Sequence, residues 1–154
     1  LVTSSDQKKH SKNSLNQFAF YNETLWKTTL FELNGSYFKN SVVTNENNSI
    51  CECPFSNIFL LKGKELYTPA LNTGCYNNIL RSIILDTATS LKMIPNESDN
   101  IQLSDLMEMD EIFLASEQTG IQWVLGFEKK RFLHHHAENI HEKLNEFLKE
   151  KSAV

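Results

Sequence analysis

The chain has 154 residues, about one domain's worth. With 40% hydrophobic, 10% aromatic and 22% charged residues it can bury a real core, which excludes disordered, collagen-like and coiled-coil classes. Fifteen Lys and Arg against nineteen Asp and Glu give a net charge of -4, so there is no basic excess to neutralise a nucleic-acid backbone.

Leu1 to Ser14 is Ser- and Lys-rich and reads as an extended or mobile linker, with a single compact domain over 15–154. Phe18, Tyr21, Leu25, Trp26, Leu30 and Leu33 recur at helical spacing, and Gly35 supplies a left-handed stop. Four short apolar runs follow, Tyr37–Thr44, Ser49–Glu52, Asn57–Lys62 and Glu65–Thr68, separated by Asn- and Gly-containing turns and predicting strands. Leu80, Ile83, Ile84, Ala88 and Leu91 form a second helical stripe that Pro95 would end. Leu103–Met107 predicts a short helix, Glu111–Ala115 and Ile121–Phe127 predict strands, and a last helix runs from about His134 to Lys149. Strands in runs with separated helices define an α+β, or mixed α/β, domain.

No apolar stretch approaches the roughly 18 residues of a membrane span, and the opening residues are not signal-like. Three cysteines, Cys51, Cys53 and Cys75, are an odd number without a CxxC pair, which fits a reducing, cytoplasmic setting better than a disulfide framework. Sequons begin at Asn22, Asn34, Asn47 and Asn96, as an Asn-rich chain produces by chance. His134, His135 and His136 sit about 100° apart on a helix and cannot converge on one ion, so they predict a solvated helix start rather than a metal site.

Cys51 and Cys53 share one face of a strand and read as core filler, leaving Glu52 on the other face. A carboxylate inside an apolar strand costs several kcal/mol unless paired, so Glu52 demands a cationic partner.

Ser49-Ile-Cys-Glu-Cys-Pro-Phe-Ser-Asn-Ile-Phe-Leu-Leu61 followed by Leu66-Tyr-Thr-Pro-Ala-Leu71 resembles a run of the fold-type IV pyridoxal-phosphate enzymes. These are the class IV aminotransferases, including branched-chain and D-amino-acid aminotransferases, together with 4-amino-4-deoxychorismate lyase. Gly74–Ile84, Leu103–Leu114 and Gly120–Val124 resemble further segments of that family in the same order. Matching text covers about two-thirds of the chain, and several weak motifs in register are together fairly specific.

The resemblance implies the second, C-terminal, cofactor-binding domain of a D-amino-acid aminotransferase-like fold, a mixed sheet or barrel with flanking helices, in a homodimer. It implies pyridoxal 5'-phosphate as cofactor and a small amino acid, 2-oxo acid or aminodeoxychorismate as substrate. A first domain would supply half the cleft, so the 154 residues alone are expected to be inactive. Glu52 matches the glutamate that bonds the pyridine nitrogen, keeping the ring an electron sink. Lys12, in Lys12-Asn-Ser-Leu-Asn-Gln-Phe18, is similar to the Schiff-base lysine, with Lys8 and Lys9 as rivals. The resemblance implies the phosphate on the backbone of Ile79 and Leu80 at a helix start, where free N–H groups and the macrodipole favour anions, with the backbone of Gln118 also around it.

Five positions depart from the family pattern: Asn77 and Asn78 replace Pro-Gly, Leu80 replaces a hydroxyl residue, Gln17 replaces a tyrosine, and Glu117 stands where a threonine often donates to the phosphate. Two unit charges about 4 Å apart repel by ~4 kcal/mol at an effective dielectric near ~20. Glu117 must therefore point away, be protonated, or exclude the phosphate. These departures favour a lyase-like member or, as the alternative, a degenerate member that has lost phosphate binding and catalysis.

Overall fold

The computed structural model describes residues 1–153. Among them are ten strands: β1 (Val2–Lys9), β2 (Asn40–Asn45), β3 (Ile50–Glu52), β4 (Asn57–Lys62), β5 (Glu65–Pro69), β6 (Ile94–Ser98), β7 (Glu111–Ser116), β8 (Gly120–Trp123), β9 (Gly126–Phe127) and β10 (Lys130–Arg131). Three α-helices accompany them, α1 (Ala19–Phe31), α2 (Ile79–Ser90) and α3 (His135–Ser152), with 3-10 turns at Ser14–Gln17, Leu71–Thr73 and Leu103–Glu108. The strands make two five-stranded mixed sheets, ordered β10-β9-β1-β2-β3 and β6-β5-β4-β7-β8. The mixed α/β class read from the sequence is the fold observed.

The second sheet is apolar on both faces, which is why β4 and β7 read as unbroken hydrophobic runs rather than alternating ones. Ile58, Leu60, Ile112 and Leu114 pack toward the first sheet with Val42, Ile50, Val124 and Phe127. Phe59, Leu61, Phe113 and Ala115 face the other way, against Ile84 and Ala88 of α2 and Ala137, Ile140 and Leu144 of α3. Phe59 and Phe113, cross-strand partners, stack with ring centres 4.9 Å apart.

Four local expectations need correction. Residues 2–9, read as a linker, form β1, which lies parallel to β2 in the middle of the first sheet. Its exposed side chains are polar, so hydropathy carries no strand signal; the ladder hydrogen bonds to β2 supply the stability. Pro95 does not end α2, which stops at Ser90 with Lys92 in the left-handed region at φ 61°. Pro95 instead lies in β6, an edge strand, where its missing N–H costs no ladder bond. Of the expected stripe the first helix fully buries only Trp26, together with the polar Asn22 and Thr29; Leu25, Leu30 and Leu33 are half-buried, and Phe18 and Tyr21 are left exposed, as is Phe20 at 71%. Apolar residues lie all round this helix, so periodicity could not choose its face. The expected single strand over 121–127 is two, β8 and β9, in different sheets. Among the described residues no helix is long and apolar enough to cross a membrane.

Candidate functional site

Glu52 ends β3 and is completely buried. Its Oε1 accepts hydrogen bonds from Lys9 Nζ at 2.9 Å and from Trp26 Nε1 at 2.7 Å, and its Oε2 accepts from the Tyr76 backbone N–H. The cationic partner that Glu52 demanded is therefore Lys9, whose side chain is also buried. Burial pushes the Glu52 carboxyl above its ordinary range, opposed by the Lys9 charge and the three hydrogen bonds. Lys12 is exposed, and it borders a small recess of about 170 Å³ with Asn16, Gln17 and Gly74. The choice between the two lysines rests on strand geometry. β1 runs beside β2 to the Lys9–Asn45 pair, with a register shift between Ser4 and Lys8, and this delivers Lys9 next to β3. Three residues further on, the chain has already turned outward.

Several side chains hold Lys9 and Glu52 in place. The segment following Lys9 is folded by Asn16, whose Nδ2 donates to the His10 carbonyl at 2.7 Å, and by Asn22, whose Nδ2 donates to the Asn16 carbonyl at 2.7 Å. Gly74 lies against this segment at φ 88°, and a Cβ there would meet Asn16 Nδ2 at 2.7 Å. The Trp26 ring packs between Phe55, 4.7 Å away, and Tyr76, 5.1 Å away, and covers the carboxylate. Phe55 adopts φ 60°, an uncommon backbone state for a bulky residue, at the turn between β3 and β4. A solvent-open recess of about 500 Å³ is lined in part by Gln7, Lys9, Asn16, Tyr21 and Asn22.

The turn entering α2 is the other half of the site. Asn57, from the Ser-Asn-Ile-Phe motif, donates to the Tyr76 carbonyl and accepts from Asn78 N at 3.2 Å. Asn78 caps α2, its Oδ1 accepting from Leu80 N at 2.8 Å. Glu117, exposed in the turn between β7 and β8, places Oε1 3.3 Å from Ile79 N and 3.2 Å from the Tyr76 hydroxyl. Gln118 N donates to Ser116 Oγ at 3.2 Å. All three backbone donors nominated for a phosphate, on Ile79, Leu80 and Gln118, thus have acceptors within the chain. Tyr76 links the two ends, its backbone on Glu52 and its hydroxyl on Glu117. Burial, then the Glu117 charge and hydrogen bond, pushes that hydroxyl up to about 12.

Sequence reading missed Trp26, Tyr76 and Asn57 as parts of the site. Asn57 was legible in principle, as a polar residue inside an apolar strand that must find partners. Trp26 and Tyr76 carried no signal separating them from ordinary core. The histidines lie away from Glu52: His134 and His135 are exposed, and His134 stacks on Trp123 at 5.5 Å.

Cys51, Cys53 and Cys75 are buried and unpaired. Burial raises all three thiols, followed by the negative charge of Glu52, with Cys75 reaching about 11 and the other two going higher. Thiolate is the reactive form. Folded protein at pH ~8 is therefore expected to resist iodoacetamide, with mass spectrometry finding three alkylated cysteines only after denaturation. Rapid alkylation of native protein would contradict this account of their surroundings.

A fold of two mixed sheets that buries a lysine against a glutamate beside a helix start places the molecule with one half of the class IV aminotransferase structures. The family model for amino-transferase class IV matches residues 1–126, and the chain belongs to that family. It is 39% identical over 75 residues to a probable branched-chain-amino-acid aminotransferase of Thermotoga maritima, an alignment covering 49% of this chain and 27% of that protein. It is 26% identical over 95 residues to an aminodeoxychorismate lyase of Vibrio harveyi, covering 62% of this chain and 35% of the relative. The chain superposes with a TM-score of 0.85 on an aminotransferase from Brucella abortus solved with the cofactor PLP, at 21% identity, covering 95% of this chain and 53% of that one. The chain spans about a quarter to a third of the length of these curated relatives and about half of the solved structure.

Proposed function

We propose that this chain is the lysine-bearing part of a pyridoxal-phosphate-dependent class IV enzyme, an aminotransferase or an aminodeoxychorismate lyase, with Lys9 rather than Lys12 as the reactive amine. The observation that carries the proposal is the 2.9 Å approach of Lys9 Nζ to Glu52 Oε1, both groups buried. A buried ion pair is weak as a stability device, since well-packed apolar residues often do as well, so a functional reason for keeping one is favoured.

The donor set fits the ring end of the cofactor. Glu52 is an acid sealed from water and able to hold a pyridine nitrogen, and Lys9, a buried amine against it, is one of the residues that line an open recess. At the phosphate end the residues do not fit as they stand, because Glu117 already occupies the Ile79 donor. When bound, the cofactor supplies an aldehyde for a neutral amine and an electron-withdrawing ring. The chain's own part begins with a proton. Burial raises the Glu52 carboxyl, and its Oε1, within hydrogen-bond distance of Lys9 Nζ, is placed to accept the proton that the amine must give up to act as a nucleophile. Trp26 excludes water from that transfer and fixes the carboxylate through its indole N–H. Substrates would be small amino and 2-oxo acids or aminodeoxychorismate, with the other wall of the cleft supplied by the remainder of the protein, in keeping with a homodimeric family.

Incubation with pyridoxal phosphate followed by borohydride reduction and peptide mass spectrometry tests this. The added mass is expected on the peptide carrying Lys9, and Lys9→Met is expected to abolish it while Lys12→Ala leaves it. Modification confined to Lys12, or scattered over surface lysines, would defeat the assignment. A second reading, a member of the fold that no longer seats a phosphate, is favoured by the position of Glu117 alone.

A further inference from the structure

Helix α2 has twelve residues, long enough for its first N–H groups to attract negative charge. One of them, Leu80 N, is satisfied by the Asn78 cap. The Ile79 N–H reaches instead to a full carboxylate charge, delivered by the tight turn that joins β7 to β8. The Tyr76 hydroxyl meets the same Glu117 oxygen. Two donors from one side of the site and an acid from the other therefore close on a single point. Any phosphate brought to these donors must first displace Glu117, and it would then lie within reach of a like charge. Glu117 is exposed and can swing into solvent, so the conflict acts on affinity rather than as an absolute block.

We propose that Glu117 is a specificity-determining residue: its carboxylate is a built-in anion that holds the N-terminus of α2 and selects against phosphate esters there, in favour of ligands without that charge. This deepens the second reading above, a member of the fold that no longer seats a phosphate, and rests on the cofactor reading only for the identity of the excluded ligand.

The test uses inorganic phosphate at constant ionic strength and follows the backbone amides of the 154-residue chain by heteronuclear NMR. Wild type is expected to show a weak response at Ile79. Glu117→Gln, which removes the charge alone, and Glu117→Ala, which removes the side chain, are expected to bind phosphate at least about tenfold more tightly, with the largest shift at the Ile79 amide. In the same variants the Tyr76 hydroxyl should titrate below its wild-type position, because the charge and hydrogen bond of Glu117 both hold it up while burial remains. Equal phosphate affinity in all three proteins, binding that leaves Ile79 unmoved, or a Tyr76 titration indifferent to position 117 would each overturn the proposal. Neither readout involves Lys9. Failure here leaves the assignment of the reactive amine standing, and failure of the borohydride experiment leaves this one standing.

Discussion

Replacing Lys9 with methionine is expected to lower the stability of the folded chain by about 3 to 5 kcal/mol, the usual cost of orphaning one member of a buried ion pair. Methionine keeps the length and apolar stem of lysine, so little of that loss comes from packing. Glu52 would retain the Trp26 and Tyr76 donors but lose its only cationic one. Chemical denaturation measures the effect, and a loss below about 1 kcal/mol would mean that Lys9 and Glu52 are not paired in solution. The double variant Lys9→Met, Glu52→Gln should recover a substantial part of the loss, since no unpaired charge is left behind.

The same variant has a defined pH dependence. The folded Glu52 carboxyl already lies above its unfolded value of 4.5 because of burial, and removing Lys9 takes away the strongest influence that lowers it. A raised carboxyl binds its proton more tightly in the folded state than in the unfolded one. Its stabilising contribution is therefore complete below pH 4.5 and is lost as pH rises through the folded value. The Lys9→Met penalty should be smallest in acid and grow toward neutral pH. A penalty that instead deepened in acid would reverse the sign of the argument.

Glu111→Ala should be nearly as damaging, at about 3 to 4 kcal/mol, although Glu111 belongs to no proposed chemistry. Helix α3 begins without a side-chain cap from its own N-terminal residue His134. The buried Glu111 of β7 supplies one from across the core, Oε1 accepting from His136 N and Oε2 from Ala137 N, each at 2.9 Å. Its Oε1 also lies 2.8 Å from the His136 ring Nδ1. Alanine would strand the Ala137 N–H in the core and remove a negative charge from the positive end of the helix dipole. Thermal unfolding should fall by roughly 10 °C for a chain of this size, and amide exchange should accelerate first at the start of α3. Glu111→Gln keeps one acceptor and should lose clearly less. An alanine variant with unchanged melting would show that the helix is capped some other way.

How far these features could be read beforehand follows from what kind of interaction makes them. β4, β7, α2 and α3 were legible because each buries a regular pattern of side chains, and a pattern is local information. Glu52 was legible for a related reason: an acid between two core cysteines is an anomaly that needs a partner. β1 was not legible, because a strand held by ladder bonds to β2 shows itself only once β2 lies beside it. The position of Pro95 misled for the same cause, since a proline that breaks a helix is harmless on a sheet edge.

The amino-acid sequence by itself determined the mixed α/β class, the family, the need of Glu52 for a cation and the conflict posed by Glu117 at a helix start. Each of these is a property of residue type and spacing along a short stretch. Tertiary structure alone decided that the cation is Lys9 and not Lys12, that Trp26 and Tyr76 complete the shell around the acid, and that the Glu117 carboxylate lands on the Ile79 donor. Those outcomes turn on a register shift in β1, the rotation of α1 and the reach of a hairpin, which are distances across the fold that no spacing along the chain encodes.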